Sequence, residues 1–560
     1  MPTPADTALV GGSVYTLDPA RPWAEACAIR AGRIIGVGST ADVRELCGPS
    51  TEIVDVSGGM VVPGFQDAHV HPPMGGVERL RCDLTAGASR AEYLAIVASY
   101  AESHPESDWI LGGGWSMPAF PNGIPTAVDL DSAVGSRPVF LPNRDHHSAW
   151  VSSRALELAS ITAETPDPID GRIERDGAGV PTGALHEGAM RLVERVVPVL
   201  TRDDFVEGLL AAQAYLHSLG ITAWQDAWVT SGAGGSFDAY LALAGDGRLT
   251  ARVVAAHWWE RGRGSEQVEG FLALRAAAAE ADRLSAGAVK IMQDGVCETF
   301  TAAMLTPYLD VHGHATDNCG LSFVDPESLK EHVALLDAEG FQVHIHAIGD
   351  RAVREALDAV EAARVANGPS GLRHHLAHLQ VVHPGDLDRF AALGAVANFQ
   401  PLWACADEQM VELTMPFLGA ERSAMQYPIS SLLRRGPVAF GSDWPVSSPD
   451  PLAEMHVAVT RQAGPGTRFG ADAGAAGPPA PFLPDERIGL ADAMRAFTLG
   501  SAFVNHLEAD TGSVEVGKLA DLAVIDRNLF EVDDLDGGIS GAHVTKTMVE
   551  GEMVFERAGS

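Results

Sequence analysis

The chain of 560 residues is short of positive charge, of paired cysteines and of long apolar runs, and each shortage excludes a class of protein. Lysine and arginine total 39 against 74 aspartate and glutamate residues, a formal net charge of -35, which opposes binding to nucleic-acid phosphates. The 6 cysteines are scattered without a CxxC pair, as is typical of reduced intracellular proteins. No run of about 18 apolar residues and no basic, apolar leader are present, so we expect a soluble, cytoplasmic chain that binds no membrane.

Both ends of the chain have the short alternating runs of β-strands. Residues 1–60 contain TALVGGSVYTLD, EACAIRAGRIIGVG and STEIVDVSGGMVVPG, separated by glycine pairs and polar breaks as in hairpins. Residues 506–560 contain ADLAVIDRN and VTKTMVEGEMVFE. This likeness predicts one small β-sandwich domain built from both termini, and two unrelated β segments are the alternative.

The middle of the chain alternates near-continuous apolar strands with amphipathic helices, which indicates a parallel sheet covered on both faces. The strand-like runs are residues 220–228, 251–259, 287–295, 341–350, 373–380, 394–401 and 436–445. Together with MVVPGFQDAHVH, residues 60–71, they make eight strands. Eight parallel strands close into a (β/α)8 TIM barrel, which we predict for residues 61–75 and 206–505.

Two stretches fall outside this alternation. About 140 residues separate the first barrel strand from the second, far more than one loop needs, so residues 76–205 are predicted to form an inserted domain that contributes to a substrate pocket. Residues 464–486, GPGTRFGADAGAAGPPAPFLPDE, are rich in Gly, Ala and Pro. They are predicted to be a linker, with a mobile loop at the barrel mouth as the alternative.

Residues of the types that ligate metals lie near the carboxyl ends of five of these strands, where TIM barrels form their active sites. They are His69 and His71 on the first strand, Lys290 on the fourth, His344 and His346 on the fifth, His378 on the sixth and Asp443 on the eighth. Each alone has a structural explanation, such as a hydrogen-bonded histidine, a turn aspartate or a lysine at the rim. Their coincidence, and the cost of burying a charged lysine, favour a metal site.

Two of these candidates have neighbours of the same type. His344 and His346 share a strand face because side-chain direction has a period of two. His374 and His375 lie just before His378. The position nearer the carboxyl end of the strand favours His346 and His378 as ligands, and His344 stays the alternative to His346.

Several longer motifs carry a resemblance to a known family. They are PGFQDAHVHP, the strand-four lysine, HIHAIGDRAV, HLAHLQVVHPGDL and GSDWP, with DHHSAWVSSRAL, GVPTGALHEGAM and DGVCETFTAAML between them. Together they resemble the amidohydrolase superfamily, and within it the amidohydrolase family 3 branch that includes N-substituted formamide deformylase-like enzymes. The resemblance covers nearly the whole chain.

The resemblance implies one or two divalent metal ions, most often Zn²⁺. The implied ligands are His69, His71 and Asp443 for one ion and His346 and His378 for the other, with a carbamylated Lys290 bridging the two. The metal would activate a water as hydroxide and polarise a carbonyl, and Asp443 would act as general base and then general acid. The implied reaction is hydrolysis of a non-peptide C–N bond in a small molecule, an amide or an N-substituted formamide, by a homodimer.

Other residues are expected to contact the substrate. His147 in DHHSAW would hydrogen-bond the carbonyl or a developing oxyanion, and satisfying its own loop is the alternative. Trp115 and Trp403 are candidate apolar walls of the pocket, and simple packing is the favoured alternative for both. Glu187 and Asp294 are candidates for the pocket or for support of the metal ligands.

Three other functions are compatible with the same residues. A cyclic amide or lactone substrate suits the same chemistry. Deamination on this barrel is disfavoured because deaminase relatives usually lack the strand-four lysine, which is Lys290 here. A non-catalytic metal-binding regulator is the alternative from another class, and it has no need of the aspartate at position 443.

Overall fold

A parallel sheet occupies the middle of the protein in the computed structural model, which describes residues 3–230, 232, 234–464, 480–533 and 537–558. Its eight strands are parallel to their neighbours and follow one another in chain order. They are Phe65–Val70, Ile221–Val229, Arg252–Trp258, Leu284–Met292, Gln342–Ala347, His375–His378, Val396–Phe399 and Val438–Phe440. This confirms the predicted TIM barrel.

The first and last strands approach each other at their carboxyl ends and nearly close the barrel. The amide of Asp443 donates to the carbonyl of His69 at 2.7 Å. Asp67 accepts from the amide of Ser442 at 3.0 Å and from its hydroxyl at 2.6 Å. Asp67 is 0% exposed, so its carboxyl contacts the last strand and not the solvent, and burial raises its pKa to about 7.

Helices surround this sheet because each crossover between parallel strands must bury an apolar stripe on it. They are Arg202–Ser218, Ser236–Gly245, Gln267–Ala278, Pro326–Ala338, Asp350–Asn367, Leu387–Leu393, Met415–Ser423, Ile429–Leu433, Pro451–Thr460, Leu490–Arg495 and Ser501–Val504. The helix Asp350–Asn367 follows the fifth strand, and Gly349 is its capping position. No described helix combines the length and the apolar character needed to span a membrane.

The two ends of the chain share a sheet beside the barrel. Leu522–Ile525 pairs antiparallel with Met60–Pro63, and this pairing joins three strands from each terminus into one six-stranded sheet. The other strands of that sheet are Ser13–Tyr15, Trp23–Ala24, Val544–Val549 and Glu552–Glu556. A four-stranded sheet of Thr7–Val10, Ala26–Arg30, Arg33–Gly38 and Glu52–Asp55 packs its apolar residues into the same core.

The run MVVPGFQDAHVH is two strands, not the single barrel strand that the sequence suggested. Met60–Pro63 belongs to the six-stranded terminal sheet, and Phe65–Val70 begins the barrel. Gly64 separates them, and a Cβ there would lie 2.4 Å from the hydroxyl oxygen of Thr222. The change of sheet therefore falls at Gly64, after the predicted start of the barrel at residue 61, because uniform apolar character hides it.

An inserted sheet follows the first barrel strand. Its six strands are Cys82–Asp83, Ile110–Gly113, Val139–Pro142, Ser148–Val151, Gly171–Arg175 and Pro181–Glu187. Helices of this part are Arg90–Ser103, Ala127–Val134, Ser153–Leu158 and Arg191–Glu194, and Thr40–Glu45 is the helix of the terminal sheets. Residues 465–479 of the Gly/Ala/Pro-rich stretch 464–486 lie outside the described residues.

Two helices carry the chain into and out of the insert. Pro72 and Pro73 open the helix Pro72–Arg79, so the prolines that end the first barrel strand also start a helix. The predicted cuts at residues 76 and 206 each fall inside a helix, Pro72–Arg79 and Arg202–Ser218. These helices pack so closely that a Cβ on Gly76 would lie 1.8 Å from the carbonyl oxygen of Gly208.

Replacing Gly76 by alanine is expected to lower the free energy of unfolding by about 1–3 kcal/mol, because backbone atoms must move to admit the methyl group. Urea denaturation of the two proteins measures the difference. Gly270→Ala is the matched control, since a Cβ on this helical glycine meets nothing within 4 Å. That variant should be no less stable than the parent, and equal losses in both would contradict the packing argument.

Candidate metal centre

Three polar side chains meet where the first and last barrel strands end. Nε2 of His69 lies 3.0 Å, and Nε2 of His71 lies 2.7 Å, from the same atom, Oδ1 of Asp443. One ligand atom from each of the three residues can be chosen so that all lie within 4.8 Å of one another. The backbone holds this approach, since the amide of His71 donates to the carbonyl of Trp444 at 2.8 Å.

This cluster has the composition and the unmet bonding capacity of a cation site. Nδ1 of His71 is a buried ring nitrogen without a hydrogen-bond partner in the described part of the chain. Burial raises the pKa of Asp443, but the hydrogen bond and charge of His71 outweigh it and leave that pKa below its usual value. Burial and the nearby charge of Lys290 lower the pKa of His69 well below its usual value. An anionic carboxylate with neutral imidazole is a donor set that suits Zn²⁺.

A second group of candidate ligands faces this cluster. The ring centroid of His378 lies 4.4 Å from that of His346 and 4.7 Å from that of His69. Lys290 is 2% exposed, and burial lowers the pKa of its amine to about 8 while Asp443 acts in the opposite direction. Besides burial, the charge of Lys290 lowers the pKa of both His346 and His378. All six predicted ligands therefore lie at one end of the barrel.

The two histidines of the fifth strand occupy different environments. Nε2 of His344 lies 2.8 Å from Nδ1 of His69, and Nδ1 of His344 lies 2.6 Å from Oε1 of Gln225. Both nitrogens of His344 are thus engaged inside the barrel. Within the described parts of the chain, His346 forms a hydrogen bond through Nδ1 alone, 3.1 Å from Oδ1 of Asp294, so its Nε2 is left for a ligand.

Asp294 supports His346 and does not line a pocket. Its side chain is 0% exposed and accepts hydrogen bonds from the amides of Ala303, Ile348 and Gly349 at 2.8–3.0 Å. Burial raises its pKa to about 7, and those amides act in the opposite direction. Of the two roles predicted for Asp294, these bonds favour support of a metal ligand, because every described bond of this carboxyl is internal.

His147 reaches the barrel from the insert. Its Nδ1 lies 2.8 Å from Oε1 of Glu187, and its ring centroid lies 5.9 Å from that of His346. Glu187 also accepts from the hydroxyl of Thr301 at 2.8 Å, which ties the insert to the loop after the fourth barrel strand. Burial lowers the pKa of His147, but the charge of Glu187 outweighs it and raises that pKa to about 9. The ring is a hydrogen-bond donor at neutral pH.

The two predicted tryptophan walls differ in position. Trp403 is half-buried and stacks on His378, with ring centroids 5.3 Å apart and planes 10° from parallel. Trp115 is 0% exposed, donates from Nε1 to the carbonyl of Leu141 at 2.8 Å and packs on Trp150. Trp115 is therefore a core residue of the insert, which corrects its assignment to the pocket.

The comparisons with known proteins agree with this geometry. A model of the amidohydrolase family matches residues 52–555. The chain belongs to the amidohydrolase family. N-substituted formamide deformylase of Arthrobacter pascens is 29% identical over 99% of this chain and 99% of its own. Protein LONG AFTER FAR-RED 3 of Arabidopsis thaliana is 32% identical over 98% of this chain and 92% of its own.

The fold is also similar to that of a solved metal-dependent hydrolase. The crystal structure of an uncharacterized metal-dependent hydrolase from Pyrococcus horikoshii OT3 has a TM-score of 0.72 and 26% identity, covering 96% of this chain and 99% of that one. Membership of the amidohydrolase family and this neighbour support hydrolase activity that depends on a metal.

Several residues around the centre of this amidohydrolase were missed in the sequence. Gln225 binds His344, Gln400 binds Nδ1 of His378 at 2.9 Å, and Trp228 lies against His71 with ring centroids 6.0 Å apart. A signal existed for the two glutamines, because an amide in an apolar strand is costly unless it is hydrogen-bonded. Their hydrogen-bond partners come from other strands, and the sequence does not identify those partners.

Proposed function

We propose that this protein hydrolyses a non-peptide C–N bond in a small molecule, an amide or an N-substituted formamide. The observation that carries the proposal is the convergence of His69, His71 and Asp443, with Lys290 buried beside them. The deformylase of Arthrobacter pascens, which aligns along its whole length, supports the bond type.

The centre would hold one or two divalent ions, most simply Zn²⁺. His69, His71 and Asp443 would bind one ion, and His346 and His378 would bind the other. Lys290 would join them as a carbamate, formed when its neutral amine takes up CO2 and releases a proton. When bound, the metal supplies Lewis acidity and lowers the pKa of water.

Asp443 would move the proton during the reaction. Its Oδ1 lies close to both His69 and His71, whereas Oδ2 is 4.0 Å from His378 and so lies towards the second group of ligands. As an anion, it accepts a proton from the attacking water. It then delivers that proton to the nitrogen of the leaving amine, which departs neutral.

His147 would stabilise the oxygen of the scissile carbonyl. Nδ1 is held by Glu187, which directs Nε2 away from the insert, and the ring lies beside His346. A donor placed where negative charge develops contributes to the transition state more than to the bound substrate. Trp403, stacked on His378, would form one apolar wall of the substrate site.

His147→Phe is expected to lower kcat/KM about 100-fold or more, as loss of one oxyanion donor does, with the metal content unchanged. Steady-state kinetics and metal analysis of the purified variant measure both. His186→Phe is the matched control, because His186 also pairs with a glutamate of the insert, Glu174, at 3.0 Å. Equal kinetic losses in the two variants would contradict the role of His147.

Substrate screening tests the proposed bond type. The metal-loaded protein should release amine from N-substituted formamides or N-acyl amines, measured with an amine-reactive fluorophore. Turnover of lactones or cyclic amides alone would move the assignment to ring opening. Full metal occupancy with no turnover in any of these classes would favour a regulator and contradict the proposal.

A further inference from the structure

A layer of buried polar side chains lies inside the barrel beneath the metal centre, where apolar residues usually pack. Gln225, His344, His375 and Asn398 are each 0% exposed. They come from the second, fifth, sixth and seventh barrel strands. Because a buried polar group without a partner is costly, each donor and acceptor in this layer has to be matched.

Backbone carbonyls fix the orientation of Gln225. A carbonyl oxygen can only accept, so Nε2 of Gln342 donates to the carbonyls of Val504 at 2.7 Å and Leu372 at 3.1 Å. Oε1 of Gln342 therefore faces Gln225, whose Nε2 donates to it at 2.9 Å. Rotating the amide of Gln225 by half a turn would place its Oε1 against Oε1 of Gln342. Oε1 of Gln225 must therefore face His344 and His375.

Two histidines donate to this one oxygen. Nδ1 of His344 lies 2.6 Å and Nε2 of His375 lies 2.9 Å from Oε1 of Gln225, so both nitrogens carry a hydrogen. A second proton on His344 would place a buried charge 3.9 Å from the centroid of the His375 ring. His344 is thus neutral, and its Nε2 accepts from Nδ1 of His69 at 2.8 Å. His69 then presents the lone pair of Nε2 to the metal centre.

A second chain of bonds reaches the same oxygen from His378. The carbonyl of Ala68 fixes Asn398, whose Nδ2 donates to it at 2.9 Å and faces Nδ1 of His375 at 3.2 Å. Oδ1 of Asn398 accepts from Nε2 of Gln400 at 3.3 Å. Oε1 of Gln400 accepts from Nδ1 of His378 at 2.9 Å, which leaves the lone pair of Nε2 free.

We propose that Gln225 is a positioning residue of the metal centre, because its side-chain oxygen is the common end of two hydrogen-bond chains that orient His69 and His378. The inference rests on the proposed function for the identity of these two ligands. Without the acceptor, His344 and His375 each keep a buried N–H group without a partner. Either ring then turns or changes tautomer, and the disturbance reaches both sides of the centre.

Gln225→Met keeps the length of the side chain and removes the acceptor. We expect its affinity for Zn²⁺, measured by competition with a chromophoric chelator, to fall about 10–100-fold, as for other residues that orient metal ligands. Gln66→Met is the matched control, since Gln66 is also 0% exposed in the barrel wall but donates to Thr511. Gln225→Glu, protonated in its buried site, keeps an O–H donor to Gln342 and an acceptor to the two histidines, so it should bind Zn²⁺ nearly as the parent does.

Two results would overturn the role of Gln225. One is a Gln225→Met variant that binds Zn²⁺ as tightly as Gln66→Met. The other is a Gln225→Glu variant that loses as much affinity for Zn²⁺ as Gln225→Met. Equal losses would mean that the acceptor oxygen is not what matters at this position.

The tautomers of the metal-free wild-type protein test the same inference without a variant of Gln225. In ¹⁵N-histidine NMR spectra, assigned from single histidine variants, His69, His344 and His378 should carry hydrogen on Nδ1. His375 should carry it on Nε2. Hydrogen on Nε2 of His344 would contradict the proposed chain of hydrogen bonds from Gln225 to His69. If these tautomers and affinities hold while no C–N bond is cleaved, the proposed function fails alone. If cleavage is found with other tautomers, the positioning role fails alone.

Discussion

Asp443→Ala is expected to lower kcat/KM about 10³–10⁴-fold, the upper part of the range for loss of a positioned acid–base group. Among the residues that the structure describes, Asp443 is the one carboxylate in side-chain contact with both His69 and His71. Its removal takes away the acceptor for the proton of the attacking water and the donor to the leaving amine. Kinetics with the best amide or formamide substrate measure the loss.

The metal content of Asp443→Ala separates its two proposed roles. A variant that keeps one ion on the histidines and lacks turnover assigns the loss to proton transfer. Asp337→Ala is the matched control. Asp337 is a buried aspartate of a barrel helix, and it also pairs with a histidine, His374, at 2.9 Å. Asp337→Ala is expected to lower the stability of the protein and to keep kcat/KM. Unchanged turnover in Asp443→Ala would contradict the proposed mechanism.

Lys290→Met is expected to abolish retention of the second ion. Turnover should then fall further than the roughly 10–100-fold typical of residues that only support a ligand. The lysine is 2% exposed, and burial brings the pKa of its amine to about 8, so far more of it is neutral and able to take up CO2 at pH 7 than of an exposed lysine. Metal analysis and kinetics of the purified variant measure the two effects.

A ¹³C signal tests the carbamate directly. Wild-type protein equilibrated with ¹³CO2 and Zn²⁺ should show one carbamate carbon that is missing from Lys290→Met and present in Lys330→Met, whose lysine lies on a barrel helix. Lys290→Arg keeps a cation but cannot form the carbamate, and it should be as inactive as Lys290→Met. An active Lys290→Arg protein without the signal would contradict a carbamate ligand.

Much of the candidate site could be predicted because parallel strands bring their carboxyl ends together. Once eight apolar runs are recognised, His69, Lys290, His346, His378 and Asp443 must lie at one end of the barrel. Residue type then supplies the chemistry. Composition and spacing do not show which sheet an apolar strand joins, and this is why Met60–Pro63 was assigned to the barrel.

The finer roles could not be predicted because they depend on partners distant in sequence. Asp294 faces His346 only after the loops that follow the fourth and fifth strands wrap its carboxylate with three amides. Trp115 stands in a glycine-rich loop typical of a pocket, yet its neighbour in space is Trp150. Side-chain direction in irregular segments follows from packing, which no local pattern records.

The pairing of Leu522–Ile525 with Met60–Pro63 has a consequence for the order of folding. Met60–Pro63 leads directly into the first barrel strand, and a ribosome delivers its partner only after all eight barrel strands. Until then it is a sheet edge of uniformly apolar residues, which invites pairing with another chain. Contacts so distant in sequence also slow folding. Nascent chains that stop before residue 522 should therefore depend on chaperones to keep the edge from aggregating.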